Sequence, residues 1–432
     1  MRIALVAQDS SPLTSLTQHA DPGSGAQTAR LTSLAQALAR LGHRITIYAR
    51  RDSRELPGSA ILAPGVTVEH VTAGPPTPLD ADKLAAHLPE FGDHLAQRWR
   101  RNPPDIAHAH FWTSGLAALA AARYLGVPVA QTFGSLGAAE QRHRVPGRPS
   151  AARIRLEPCI AHSSDVVLAS SAEELADLGR LGVPRAKVKV VPCGVDTERF
   201  SPEGPAADRN GRQRLLYAEP LTAAPGISIA VRALAQIPDA ELVIAGGPER
   251  AELGKDKAYR DLRRFAKTMQ VHDRLVFTGR VFPDELPPLL RSADLLLSTA
   301  PYEPVGMVAI QAMACGTPVV AATAGAERDA VIDSTTGLLM PSRQPAQLAQ
   351  RIRRLLANSL QLEAYGIAAA DRARSRYSWE RIGRETLTAY GCVRRRPPRS
   401  GAQSPFARRD GYLPEPPRSA ISGGPGAPGP AS

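Results

Sequence analysis

The chain has 432 residues, 43% of them apolar, which exceeds what one hydrophobic core usually holds and argues against a disordered polymer, so two folded domains are expected. Its net charge is +12, but seven arginines after position 393, set against Asp410 and Glu415, supply +5 of that, and aromatic residues make up only 5%; a nucleic-acid-reading surface is not expected. The four cysteines (159, 193, 315, 392) have neither metal-ligand spacing nor a disulfide framework, and no apolar run reaches the length of a membrane span or signal core, which predicts a reducing, cytoplasmic setting.

Along the chain, short apolar runs alternate with helical patterns, the signature of parallel sheets with crossover helices. Ile3 to Ala7 reads as a strand, followed by a glycine-containing loop, Asp21-Pro22-Gly23-Ser24-Gly25-Ala26-Gln27. Leu31, Leu34, Ala35, Leu38 and Leu41 then recur at helical spacing and stop at Gly42. Ile45 to Tyr48, Asp105 to His110, Val127 to Thr132 and Val166 to Ala169 read as strands, with a helix over Leu116 to Leu125. The Pro/Gly-rich, charged stretch 196–212 reads as a linker.

The pattern then restarts. Arg214 to Tyr217, Glu241 to Ala245, Leu275 to Thr278, Leu295 to Ser298 and Pro318 to Ala321 read as strands, with a helix over Ile229 to Ile237. Expected units are 1–205, 206–375, a terminal helix over 376–392 returning to the first unit, and a disordered Arg/Pro/Gly-rich tail over 393–432. That tail permits at most weak peripheral membrane contact. Two such α/β units direct their strand C-terminal edges, where open sheets bind ligands, into a shared cleft.

The glycines of the 21–27 loop allow backbone N–H groups to approach a phosphate at the following helix, although a surface loop is the commoner explanation of such glycines. More informative is Tyr302-Glu303-Pro304-Val305-Gly306-Met307-Val308-Ala309-Ile310-Gln311, continuing to Gly316 and Val319-Val320. Pro304 suits the first turn of a helix, and Glu303 is either a helix cap or, facing a cleft, a ligand-binding carboxylate.

This stretch resembles the family 4 retaining glycosyltransferases, which have the GT-B fold of two Rossmann-like domains. Other segments carry the same likeness: His108-Ala109-His110-Phe111-Trp112-Thr113-Ser114-Gly115, Gly194-Val195-Asp196, Phe277-Thr278-Gly279-Arg280 and Thr336-Gly337-Leu338-Leu339. The Gly23 to Gln27 loop and the Phe111-Trp112 pair are most similar to the sucrose-phosphate synthase and mycothiol inositol-phosphate N-acetylglucosaminyltransferase group. The resemblance implies sugar transfer, with retention, from a nucleoside-diphosphate sugar to an acceptor hydroxyl, without a metal or other cofactor. It implies catalytic positions at Glu303 and His110, and donor contacts from Gly23, Gly25, Gly246, Gly247, Arg280, Val305, Gly306 and Gln311.

The sequence also departs from the family pattern. The second acidic residue, eight after Glu303, is Gln311, which accepts on one side only, at a cost of about 1–2 kcal/mol. Aligned on Leu221 and Gly226, the family's Arg and Lys that neutralise the donor diphosphate are Pro220 and Pro225, and no lysine occurs between Lys189 and Lys255. Two lost charge-assisted contacts weaken donor or transition-state binding by ~10² to 10⁴. Glu219 adds an acidic group there, the family histidine is Gly134, a nearby basic position is Glu140, and a Gly-Gly pair is Gly325-Ala326. These substitutions predict impaired catalysis, and an alternative role as a non-catalytic sugar or nucleotide binder, or as the partner of an active glycosyltransferase. A phosphorylase of the same fold lacks its expected cleft lysine.

Overall fold

A computed structural model describes residues 1–9, 11–13, 22–79, 81–145, 147, 149–219, 221, 224–340 and 344–393. Two sheets carry the architecture. The first has eight strands in the order β3-β4-β2-β1-β5-β6-β7-β8. They are β1 (Arg2–Ala7), β2 (Arg44–Arg50), β3 (Ser59–Ala63), β4 (Val66–Val71), β5 (Ile106–His110), β6 (Val129–Thr132), β7 (Val166–Ala169) and β8 (Val188–Val190). The second, in the order β11-β10-β9-β12-β13-β14, holds β9 (Gln213–Tyr217), β10 (Ala240–Ala245), β11 (Leu275–Gly279), β12 (Leu295–Ser298), β13 (Val319–Ala322) and β14 (Gly337–Met340). Pairing is parallel except between β3 and β4.

The central strands are apolar on both faces because helices cover both sides. Every residue of β10 is buried, as is every residue of β6, β7 and β13. Helix α1 (Pro22–Arg40) shows why the spacing of its leucines matters: Leu31, Leu34, Ala35 and Leu38 form one stripe, none more than 5% exposed.

Four local readings are corrected. Gly23 and Gly25 fall inside the first turns of α1, which starts at Pro22; proline at a helix start sacrifices no hydrogen bond, so the helix begins earlier than the leucine pattern shows. Helix α2 (Trp112–Ala122) replaces the expected Leu116 to Leu125, and helix α3 (Ala224–Leu234) the expected Ile229 to Ile237. Pro304 does not open a helix. Helix α4 (Met307–Ala314) starts after Gly306, whose φ of 68° breaks the chain direction, while Glu303 forms an isolated bridge to Gly325.

The two halves are joined by more than the linker. One buried apolar cluster runs from Leu5 through Val195 and Phe200 to Leu290 and Met313. The terminal helix α5 (Trp379–Gly391) packs on α1: a Cβ placed on Gly383 would lie 3.0 Å from Leu41 and 3.5 Å from Ala37. At its start the Val195 N–H donates to the Tyr377 carbonyl at 2.8 Å, and a Cβ on Gly194 would sit 2.5 Å from the Trp379 ring. Of the predicted tail, only Val393 belongs to the described residues. No described helix is long and apolar enough to cross a membrane.

Candidate active site

Each sheet has one place where its winding reverses. In the first sheet β1 pairs with β2 on one side and β5 on the other; in the second, β9 sits between β10 and β12. Crevices at the carboxyl ends of such strands are where open α/β sheets take ligands.

At the β1/β5 crevice there is a small open recess bordered by Asp9, Arg30, His110, Phe111, Thr132 and Gly134. His108, one turn of the pleat before His110, is a structural group. Its Nδ1 meets the Tyr390 hydroxyl at 2.7 Å and its Nε2 meets Thr132 Oγ1 at 2.9 Å, while burial pushes its pKa down to about 3. His110 differs: its ring lies 4.2 Å from that of His108, but its Nε2 is buried with no partner among the described residues. Burial, then His108 and Arg30, hold His110 well below the ordinary histidine range, so it is a neutral hydrogen-bonding group. Phe111 adopts φ 71° and ψ 160°, a conformation almost confined to glycine. It is held there by its N–H on the Thr132 carbonyl at 2.9 Å and by Gln131 Nε2, which donates to its carbonyl at 3.1 Å. Gly134 has φ 77°, and a Cβ there would meet nothing within 4 Å, so this departed family position opens onto free space.

The β9/β12 crevice is acidic. Glu219 accepts from Ser298 Oγ at 2.6 Å and from the Tyr217 hydroxyl at 2.8 Å. Burial raises its pKa to about 7, with the Glu303 carboxylate contributing, so near neutral pH its charge is only partly present. Glu303 Oε1 accepts from the N–H groups of Val305 and Gly306, both at 3.1 Å, and burial raises its pKa. Glu327 is 2% exposed, its Oε2 has no partner among the described residues, and burial together with Glu219 and Glu303 pushes it well above the carboxylate range. The Ala326 methyl fills the space over the turn, 3.4 Å from where a Cβ on Gly306 would be. Gln311, on α4, keeps its Oε1 buried and unpartnered among the described residues.

Side chains of the two halves also meet directly. The His143 and Tyr302 rings are stacked, 4.5 Å apart and 6° from parallel. His143 Nε2 meets Glu173 Oε1 at 2.8 Å, and Glu173 Oε2 accepts from the Gly325 N–H at 2.6 Å.

The remaining positions singled out in the sequence are spread out. Gly246 and Gly247, with φ 139° and 102°, end β10, and a Cβ on Gly247 would lie 2.6 Å from Leu221. Arg280 follows β11, the outer strand, two strands from the crevice, with its guanidinium 6.0 Å from the exposed Phe282 ring. Pro225 is exposed at the start of α3, and Pro220 lies outside the described residues. Val305 packs against the central core. Sequence reasoning passed over Arg30, Arg153, Glu173, Tyr302 and Glu327; only the Arg153–Glu157 pair, four apart on a helix, left a local signal. Arg153 donates to Glu157 Oε1 at 2.8 Å and to Glu140 Oε2 at 3.0 Å, so Glu140 binds the cation beside the recess. No group of three or more His, Cys, Asp or Glu side chains among the described residues is placed to hold a metal ion.

Comparison with known proteins adds family context. A model described as Glycosyltransferase Family 4 matches residues 27–199, and one described as Glycosyl transferases group 1 matches 212–358. The D-inositol 3-phosphate glycosyltransferase of Xylanimonas cellulosilytica is 32% identical over 423 residues, covering 92% of this chain and 98% of the relative. That of Streptomyces coelicolor is 31% identical, covering 90% and 91%. Among solved structures, a sucrose-phosphate synthase from Thermosynechococcus elongatus superposes with a TM-score of 0.78 at 27% identity, over 90% of this chain and 98% of that one. Anabaena HepE in complex with UDP and glucose superposes with a TM-score of 0.69 at 19% identity, over 91% of this chain and 100% of that one, a likeness of fold.

Proposed function

The chain belongs to glycosyltransferase family 4 and is a transferase of GT-B architecture, and from that premise we propose that it moves a sugar from a nucleoside-diphosphate sugar to an acceptor hydroxyl with retention at the anomeric carbon. The donor is assigned to the β9/β12 crevice within residues 206–375, and the acceptor to the β1/β5 recess within 1–205. The helix over 376–392 belongs with the acceptor side, a reading supported by the Tyr390 hydroxyl on His108. In the transfer, the acceptor oxygen bonds to the anomeric carbon as the bond to the diphosphate oxygen breaks. The diphosphate leaves with the electron pair, and the acceptor proton passes to it on the same face of the sugar.

The observation that supports this reading is the stacking of Tyr302, directly before Glu303, on His143 of the other half. Gln311 Oε1, unpartnered among the described residues, suits a ribose hydroxyl, and neutral His110 suits an acceptor hydroxyl. The test is incubation with UDP-, GDP- and ADP-sugars and polyol acceptors, with the product anomer read by NMR. Transfer with retention is expected; the absence of both transfer and donor hydrolysis across the panel would overturn the reading.

The acidic crevice favours one second reading, a protein that binds sugar or nucleotide, or partners an active glycosyltransferase, without catalysing transfer. Three carboxyl groups, Glu219, Glu303 and Glu327, interact where a diphosphate would be stabilised by cations. On that reading UDP-sugar binds weakly in calorimetry, and restoring Pro225→Lys, Gln311→Glu and Gly134→His tightens it. Micromolar donor binding together with sugar transfer by the unaltered protein would remove the second reading.

A further inference from the structure

A hydrogen-bond chain runs from the last helix to the wall of the β1/β5 recess. The Tyr390 hydroxyl, on α5, lies 2.7 Å from His108 Nδ1, although 282 residues separate the two in sequence. His108 Nε2 in turn lies 2.9 Å from Thr132 Oγ1. All three side chains are buried, and Thr132, at the end of β6, also borders the recess.

The direction of each bond follows from counting protons. Burial pushes the Tyr390 phenol above its ordinary range and His108 below its own, so the phenol keeps its proton and the imidazole is neutral. A neutral imidazole has one N–H and one acceptor nitrogen. With the proton on Nδ1, His108 would donate to Tyr390, whose own hydrogen would then be buried without an acceptor among the described residues, since its hydroxyl meets only His108 there. A buried donor left unpaired is costly. With the proton on Nε2 every group is used: Tyr390 donates to Nδ1, and Nε2 donates to Thr132 Oγ1. The Thr132 hydrogen is then left over. Its hydroxyl makes no other hydrogen bond among the described residues, while its carbonyl accepts from the Phe111 N–H and from Gln131 Nε2, both at 2.9 Å.

We infer that Tyr390 is a positioning residue: by donating to His108 Nδ1 it fixes the Nε2–H tautomer and turns the Thr132 hydroxyl hydrogen toward the recess. This rests on the reading of the recess as the acceptor side, and it adds the polarity of one contact there. Thr132 meets its ligand as a donor, toward an oxygen lone pair. Without the phenol the His108 proton can sit on either nitrogen, and Thr132 can spend its hydrogen on Nε2 instead. A helix at the far end of the chain thereby sets a hydrogen-bond direction in the first half.

The experiment uses the full chain with isotope-labelled histidine, unaltered and as Tyr390→Phe, Thr132→Val and the double variant. Long-range proton–nitrogen NMR reads the His108 tautomer, its signal assigned by its loss in His108→Gln and its change in Thr132→Val. The Nε2–H form is expected in the unaltered protein and a mixture of both forms in Tyr390→Phe. In steady-state transfer to the best polyol of the panel, Tyr390→Phe is expected to raise the acceptor KM about threefold to tenfold and leave the donor KM unchanged. Thr132→Val should raise the acceptor KM at least as much, and the double variant no further, because Tyr390 acts through Thr132. A purely structural Tyr390 would lower Tm without moving the tautomer or the acceptor KM. An Nδ1–H imidazole in the unaltered protein, an unchanged acceptor KM in Tyr390→Phe, or additive losses overturn the inference. Should Tyr390→Phe not fold, the tautomer of the unaltered protein and the acceptor KM of Thr132→Val decide. If no polyol is glycosylated, the acceptor reading of the recess falls, while the histidine spectra still decide the tautomer and the role of Tyr390.

Discussion

The imidazole of His143 lies flat on the phenol ring of Tyr302, 4.5 Å away and nearly parallel, although the two residues come from different halves of the chain. Glu173 extends the junction by meeting His143 through one oxygen and the Gly325 N–H through the other. Ring stacking and one bridging carboxylate therefore add to the buried apolar cluster that joins the two halves.

Removing that junction should loosen the cleft. In a double-mutant cycle, His143→Ala and Tyr302→Leu are expected to couple by about 0.5–1.5 kcal/mol in urea unfolding. His143→Ala should also enlarge the radius of gyration in solution scattering. Additive energies and an unchanged radius would show that the stack does not hold the halves together.

Glu219 predicts a pH dependence. Its folded pKa, about 7, lies above the ordinary carboxylate value, so the native state holds the proton more tightly than the unfolded chain. The sign follows from linkage: its contribution to stability is full below the unfolded pKa and declines as pH rises through 7, by a total on the order of 3–4 kcal/mol. Glu219→Gln should flatten this part of the profile between pH 4.5 and 8. An identical slope in the variant would contradict the assignment. UDP-sugar affinity should likewise improve on the acid side of 7, because the proton neutralises a carboxylate next to the diphosphate.

Glu327 has almost no exposure and one oxygen without a partner among the described residues. Replacing a poorly satisfied buried carboxyl by an apolar side chain of similar length is neutral or stabilising. Glu327→Leu is expected to raise unfolding free energy by about 1–3 kcal/mol, read from denaturant midpoints at constant slope. A loss of stability would mean that the carboxyl is satisfied by a group such as bound water.

Pro225 is the exposed second residue of α3. Pro225→Lys supplies one cation toward the diphosphate and should tighten UDP-sugar binding about tenfold or more in calorimetry. Gly134→His differs: its φ of 77° costs a histidine about 1–2 kcal/mol of stability, yet the side chain would enter open space. A stability loss well above that would indicate a clash.

The strands and their alternation with helices were legible in the sequence because the buried runs are continuous and glycine or proline punctuates them. The edges were not. β3 lies at the rim, where Ile61 is 81% exposed, and β8 has only three residues, so neither carries the apolar run that marks a central strand. At the site, Glu303 and His110 were marked by their motifs, and Gln311 by its spacing. Arg30, Glu173 and Glu327 were invisible because their significance lies in pairs far apart: Glu173 and Gly325 are 152 residues apart in the chain.

Periodicity and turn chemistry are properties of neighbouring residues, and by themselves they determined two α/β sheets, the helix α1 stripe and the family motifs. Which carboxyl groups would keep their protons, which arginine would be spent on a salt bridge, and which would stay open were decided only by the tertiary structure. Burial and Coulomb energies depend on distance in space, and folding alone sets Glu219, Glu303 and Glu327 within each other's fields and gives Glu140 to Arg153 while leaving Arg30 without such a partner among the described residues.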